Sequence, residues 1–299
     1  MDTPILFIIF NRPISTQRVF NIIKQIKPSV LYVVSDGPRE NRHGDVEKIE
    51  TCRKIITEQV DWECKLKITF RERNLGSGQG IYDSINWFFE EEEYGIILED
   101  DCLPNITFFT FCDLVLKKYK DVENIMHVSG NNYLLKMISF NESYYFSQVP
   151  LSWGWATWKR AWNKMNFKLL NFEAKFEKLP QNGKIWYNDW QDILQGRLTD
   201  AWDFQWYFSI LTSNGICINP AVNLVENIGF TDDATHTTRA QWWYNLVEKK
   251  EISEILHPNN IKISNKADEL IIKLIKNKEL GLIEKIKLRI LNYKKFLRF

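Results

Sequence analysis

Three adjacent carboxylates, Glu99-Asp100-Asp101, follow directly on the apolar run Gly95-Ile96-Ile97-Leu98. Neighbouring carboxylates repel one another, so at the end of a buried strand they need a cation or hydrogen-bond donors to offset the cost. Hard oxygen ligands of this kind suit Mn²⁺ or Mg²⁺, with phosphate oxygens completing the shell. The plain alternative is a solvated acidic loop, the reading that fits the nearby run Glu90–Glu93. Two more polar pairs close apolar runs: Asn11-Arg12 follows Pro4–Phe10, and Asp36-Gly37 follows Val30–Ser35. A guanidinium at Arg12 can pair with a diphosphate, and a carboxylate at Asp36 can accept a ring N–H such as uracil offers. Both residue types also serve ordinary turns. A glycine-rich segment, Asn74 to Gly80, has the spacing of neither common phosphate-binding pattern. The chemistry lies in the convergence of a base-reading acid, a cation, a loop and a metal carboxylate on one crevice.

That convergence requires a particular scaffold. Pro4–Phe10 and Val30–Ser35 read as buried strands, Cys64–Phe70 as an alternating one, and Gly95–Leu98 as a short buried one. Between them the spacing predicts a helix capped at Ser15 or Thr16, with Val19, Ile22, Ile23 and Ile26 on one face and Pro28 beyond its end. A second helix is expected over about Asp45 to Gln59, and a third from Ile81 to Glu93, ended by Gly95. Strands alternating with helices imply an α/β fold with a mostly parallel, Rossmann-like sheet flanked by helices. Ligands of such sheets gather at the carboxyl ends of the strands.

The rest of the chain differs. Eight of the twelve tryptophans fall between Trp153 and Trp206. No Pro/Gly linker separates the halves, so we expect two intimately packed lobes, over residues 1–130 and 131–262, and a tail over 263–299. From Lys262 onward eleven Lys/Arg face four Asp/Glu, which leaves the body at −6 although the chain is +1. A body of that sign disfavours nucleic acid as a partner. The tail reads as a basic amphipathic helix that would suit either a membrane surface or the acidic body. With 44% apolar and 26% charged residues the composition is that of a globular protein. No apolar run approaches the ~20 residues of a spanning helix, and no signal-peptide pattern opens the chain. Five cysteines without a C-x-x-C pair argue against disulfides and structural zinc. A cytoplasmic setting is expected, with peripheral contact on the inner face of the membrane as an option.

The stretch Arg73-Asn74-Leu75-Gly76, a helix, then Gly95-Ile96-Ile97-Leu98-Glu99-Asp100-Asp101-Cys102-Leu103-Pro104 resembles the nucleotide-sugar core of GT-A glycosyltransferases. More narrowly it is similar to the group around N-acetylglucosaminyltransferase I, whose DXD-type motif reads E-D-D. Gly154-Trp155 and Ala201-Trp202-Asp203-Phe204-Gln205-Trp206 resemble that group's acceptor-side segments. The resemblance implies a metal-dependent, inverting transfer from a nucleotide-diphosphate sugar, a UDP-sugar by preference, to a glycan or lipid-linked acceptor in surface polysaccharide assembly. It implies that Asn11, Arg12, Asp36, Gly37, Asn74, Gly76, Glu99 and Asp100 contact the donor. Asp101 would bind the metal, with His236 completing its shell. Asp203 would be the base, with Asp200 and Asp192 as further acids. Among the tryptophans, Trp153 and Trp155 are the expected lining of the acceptor cleft. Two other readings stand beside this one: a nucleotidyltransferase that makes nucleotide sugars, and a non-catalytic carbohydrate-binding protein. The first would normally carry a glycine-rich phosphate loop after the first strand, where this chain has Phe10-Asn11-Arg12-Pro13-Ile14.

Overall fold

The computed structural model describes residues 1–134, 137–229 and 247–276. The first half alternates strand and helix: β1 (Ile5–Ile9), α1 (Pro13–Ile26), β2 (Val30–Ser35), α2 (Asp45–Gln59), β3 (Lys65–Phe70), α3 (Gly76–Glu91) and β4 (Tyr94–Glu99). A short strand β5 (Cys102–Pro104) leads into α4 (Ile106–Lys118) and β6 (Ile125–Ser129). Then come β7 (Tyr144–Ser147), β8 (Trp155–Trp158) and the short helices α5 (Lys159–Trp162), α6 (Phe172–Phe176) and α7 (Gln181–Lys184). The remainder is α8 (Tyr187–Leu194), α9 (Asp203–Thr212), β9 (Ile216–Pro220), β10 (Val225–Asn227) and α10 (Asn265–Ile275).

The main sheet has eight strands in the order β3-β2-β1-β4-β8-β6-β9-β7. β3, β2, β1 and β4 are mutually parallel, β8 is antiparallel to both β4 and β6, β9 is parallel to β6, and β7 is antiparallel to β9. This is the mostly parallel α/β architecture that the alternation predicts, and the sheet runs on through both halves of the chain. Apolar side chains cover both faces, which explains the continuous apolar runs. Ile5, Phe7 and Ile9 of β1, with Ile96 and Leu98 of β4, pack beneath α1, α2 and α4, whereas Leu6 and Ile97 face α3 and α9. A third cluster joins α6, α8, α9 and α10. β5 pairs with β10 in a separate two-stranded ribbon.

Several local expectations are corrected. α1 starts at Pro13, whose fixed φ and missing N–H suit the first helical position, and neither Ser15 nor Thr16 caps it. Thr16 Oγ instead donates to Cys52 Sγ, 3.4 Å away. α3 starts at Gly76 rather than Ile81, so most of the expected loop is helix. Gly95 lies inside β4 and does not end α3; a Cβ there would come within 2.3 Å of Phe88. Asn105 caps α4 by accepting from Phe108 N–H. All five cysteines are free thiols.

Part of the tail also departs from the amphipathic surface helix. α10 buries Ala267, Leu270, Ile271 and Leu274 in the third cluster. Its Asp268 accepts from Ser147 Oγ at 2.5 Å and from the Gln148 N–H at 2.9 Å. This stretch of the tail belongs to the core, and residues 277–299 lie outside the described ones. No described helix is long and apolar enough to cross a membrane.

Most of the tryptophans are core. Trp155 is 1% exposed, stacked on Trp202 at 5.3 Å and on His127 at 5.0 Å. His127 is wholly buried on β6, and its Nδ1 accepts from Trp206 Nε1 at 3.2 Å while Nε2 faces Leu151 O at 3.2 Å. That pairing requires the neutral Nε2–H tautomer, and burial pulls the imidazole down to about 3. The unfolded chain therefore takes up a proton here, near the ordinary histidine range, that the folded chain refuses. Stability contributed by His127 is full above about pH 6.5 and is lost toward pH 3, at up to about 1.4 kcal/mol per pH unit. Urea unfolding at a series of pH values should show this loss in the wild type and a shallower one in His127→Gln.

Candidate active site

The carboxyl ends of β1, β2 and β4 lie at one edge of the sheet, because β1 runs parallel to both β2 and β4. Each strand delivers its polar pair there. Asp100 turns back beneath β1: its Oδ2 accepts the Phe10 N–H at 2.9 Å, and its Oδ1 lies 3.2 Å from Arg12 Nη1. The same nitrogen donates to Asp101 Oδ2 at 2.7 Å. Asp100 is buried and pushed up to about 6, chiefly by burial, with Arg12 opposing the shift. Burial and the charges of Asp101 and Asp100 also raise Glu99 well above the carboxylate range, and Asp203 adds to that rise. Asp203 lies at the start of α9, and its charge is among those that reach Glu99. Burial pulls Arg12 down, yet the carboxylates of Asp100, Asp101 and Glu99 together hold it above its ordinary value.

Other expected contacts have structural partners of their own. Asp36 accepts the Leu75 N–H at 3.0 Å and the Gly37 N–H at 3.1 Å, with Arg71 3.7 Å away. Burial raises its pKa against those donors. It therefore anchors the start of α3, and a nucleobase would have to share its lone pairs. Asn74 Nδ2 donates to Gly37 O at 3.0 Å, and Asn74 Oδ1 accepts the Gly76 N–H at 3.1 Å. Asn11 Nδ2 donates to Asp45 Oδ1 at 2.8 Å. Asp45 also takes a fork from Arg39 at 2.8 and 2.9 Å, and that guanidinium holds it down at about 2. The Arg39–Asp45 pair is not among the residues that sequence reasoning singles out; an acid at a helix start is its one signal.

The glycine-rich segment has a use other than cradling phosphate. Gly76 has φ +76, and a Cβ on it would lie 2.9 Å from Asp200 Oδ1. A Cβ on Gly78 would lie 2.6 Å from Thr199 O, and Ser77 Oγ donates to Asp200 O at 2.9 Å. These residues seat the loop that leads into Asp203. Of the other acids considered as bases, Asp200 belongs to this loop, and Asp192 is paired with Arg197.

The acceptor-side expectations divide. Trp155 is a correction: it is buried among aromatic rings and lines no cleft. Trp153 is half-buried, edge-on to Tyr133 at 4.9 Å. His236 lies outside the described residues.

Asp101 is the carboxylate expected to take a divalent ion; its Oδ2 accepts from Arg12 Nη1 at 2.7 Å, and its Oδ1 accepts from Cys102 Sγ at 3.4 Å. No group of three His, Cys, Asp or Glu among the described residues is arranged to hold an ion, so diphosphate oxygens and water would complete the shell. Gly229 packs directly on that carboxylate: a Cβ there would lie 2.3 Å from Asp101 Oδ2. Arg12 shares that carboxylate through Oδ2.

The sequence matches no protein family and no curated protein. Similar solved structures include apo UDP-glucose pyrophosphorylase, at TM-score 0.39 and 10% identity over 74% of this chain and 90% of that one. The UDP-glucose complex of a UDP-glucose pyrophosphorylase gives 0.38 and 8% over the same shares. HddC from Yersinia pseudotuberculosis gives 0.33 and 9% over 53% of this chain and 77% of that one.

The Arg12 arrangement makes a direct prediction. Arg12→Met leaves Asp100 and Asp101 uncompensated and should cost about 3 kcal/mol in urea unfolding at pH 7. Adding Asp100→Asn removes one of the two stranded charges and should restore most of that loss.

Proposed function

We propose that this protein transfers a sugar from a nucleotide-diphosphate donor, a UDP-sugar by preference, to a glycan or lipid-linked acceptor. The observation that carries the reading is the meeting of Glu99, Asp100, Asp101 and Arg12 at one sheet edge with Asp203 close enough to act on Glu99 electrostatically. A crevice that concentrates carboxylates around one guanidinium suits a diphosphate brought in with a divalent cation. Residues 1–130 would hold the donor and residues 131–262 the acceptor.

In this reading Arg12 pairs with the diphosphate, and Asp36 and Gly37 meet the base end of the nucleotide. Glu99 and Asp100 face ribose and donor sugar. A divalent ion on Asp101 would stabilise the charge that grows on the leaving diphosphate. Asp203 takes the proton of the acceptor hydroxyl while the anomeric C–O bond to phosphate breaks and the new glycosidic bond forms. A single displacement of this kind inverts the anomeric centre.

A second reading is nucleotidyl transfer between a nucleoside triphosphate and a sugar phosphate, which a pyrophosphorylase such as those above is named for. The β1–α1 turn, Phe10-Asn11-Arg12, has no glycine to wrap a triphosphate, and for that reason we place it second.

One assay separates them. Purified protein with Mn²⁺ and UDP-hexoses should release UDP when given glycan or lipid-linked acceptors, and Asp203→Asn should lower turnover by about 10²–10⁴ while keeping its affinity for UDP. Pyrophosphate released from UTP and a hexose 1-phosphate, with no transfer from UDP-hexoses, would decide for the second reading.

A further inference from the structure

The sheet edge that carries the acidic triplet extends into the second half of the chain. β8 is antiparallel to both β4 and β6, and β9 is parallel to β6, so β4, β6 and β9 all present their carboxyl ends there. Adjacent strands lie about 4.8 Å apart, and the order β4-β8-β6-β9 puts the end of β6 about 10 Å and the end of β9 about 14 Å along the edge from that of β4. A cleft of about 220 Å³ lies between the residues that follow β6 and those that follow β9. Drug-sized ligands occupy pockets of about 300–1,000 Å³, so this one suits a single ring.

The walls of the cleft are held by the fold itself. The Asn132 N–H donates to Asn223 Oδ1 at 3.0 Å, Asn132 Nδ2 donates to Pro220 O, and Asn132 Oδ1 accepts the Leu134 N–H at 2.7 Å. These bonds stitch the loop after β6 to the loop after β9. The Lys250 N–H donates to Asn223 O at 2.8 Å, and Lys250 O accepts from Asn105 Nδ2 at 2.6 Å, which pins a third wall. Phe140 stacks on Tyr145 at 4.3 Å, so the ring it presents to the cleft is fixed as well. Leu134 and Val222 add apolar surface.

Polar groups in the cleft are of both kinds. Asn223 is 7% exposed, and its Oδ1 is taken by the Asn132 N–H, which fixes the orientation of the carboxamide. Its Nδ2 has no hydrogen-bond partner among the described residues, yet it is not sealed from solvent, and the cleft is where Asn223 meets solvent. The exposed Lys250 makes no ion pair among the described residues, and Glu248 brings a carboxylate to the same cleft. Two donors, an acid and an aromatic ring thus border a ring-sized space.

We propose that this cleft binds one ring of a neutral oligosaccharide acceptor, beyond the ring whose hydroxyl takes the transferred sugar. A sugar ring offers an apolar C–H face to Phe140. Its hydroxyls accept from Asn223 Nδ2 and Lys250 Nζ and donate to Glu248. The distance along the edge leaves the reacting ring a place of its own nearer the triplet. The assignment rests on the sugar-transfer reading above and narrows its acceptor to a chain of at least two rings.

The test is calorimetric titration of a panel of neutral di- and trisaccharides, without nucleotide or metal, into wild type, Asn223→Asp and Lys250→Met, with UDP and Mn²⁺ titrated in parallel. Asn223→Asp keeps the oxygen that accepts the Asn132 N–H and replaces only the donor, and Lys250→Met shortens no apolar contact, so both variants should fold and melt as the wild type does. At least one saccharide should bind the wild type and weaken by about tenfold in each variant, while the affinity for UDP stays within about twofold. Equal saccharide binding by all three proteins overturns the proposal, and so does a wild type that binds no saccharide in the panel. If UDP binds and saccharides do not, the cleft assignment falls alone. If UDP fails to bind while saccharide binding is lost in the variants, the transfer reading falls and the cleft stands as a saccharide site.

Discussion

Negative charge gathered at the end of a buried strand is the constraint around which the rest is arranged. Glu99 ends β4, Asp100 and Asp101 follow it without a break, the charge of Asp203 reaches Glu99, and Arg12 is the guanidinium that meets two of the three. Carboxylates in such a place are tolerated only when hydrogen bonds or cations answer them. The Phe10 N–H and Arg12 answer Asp100, and Arg12 again answers Asp101. Glu99 is answered least, and its raised pKa records this. The edge therefore carries more negative charge than Arg12 alone answers.

Holding that charge in place takes a rigid frame. β1 and β4 are buried on both faces, so their ends have little freedom to relax away from one another. On the far side, Trp155, Trp162, Trp202 and Trp206 pack as a cluster of rings 5.1–6.2 Å apart. Trp202 immediately precedes Asp203, and Trp155 belongs to β8, which pairs with β4. The aromatic cluster thus ties the candidate base to the strand that carries the triplet.

The sheet and its edge were legible in the sequence because buried parallel strands announce themselves as continuous apolar runs. Ile5–Ile9, Val30–Ser35 and Tyr94–Glu99 each end within two residues of the polar groups that follow or close them. The start of α3 was not legible: glycines at 76, 78 and 80 read as a loop by propensity, and the reason for Gly76 and Gly78 lies in the loop at 199–201, more than a hundred residues away, while Gly80 packs against Arg71 and Asp36. Trp155 misled for a similar reason. An indole next to a glycine reads equally well as a sugar platform or as core, and its strand position between β4 and β6 decides for core.

The seam between α3 and the loop before α9 bears on how this chain could be rebuilt. Gly76 and Gly78 leave no space for a side chain beneath residues 199–201, and Asp36 grips the same end of α3 through Leu75. A chimera that exchanged the second half of the chain for that of a distant relative would set a foreign loop against this glycine surface and lose the fit. Residues 36–37, 74–80 and 199–203 form a module scattered in sequence but single in space. They are interchangeable between relatives only as a set.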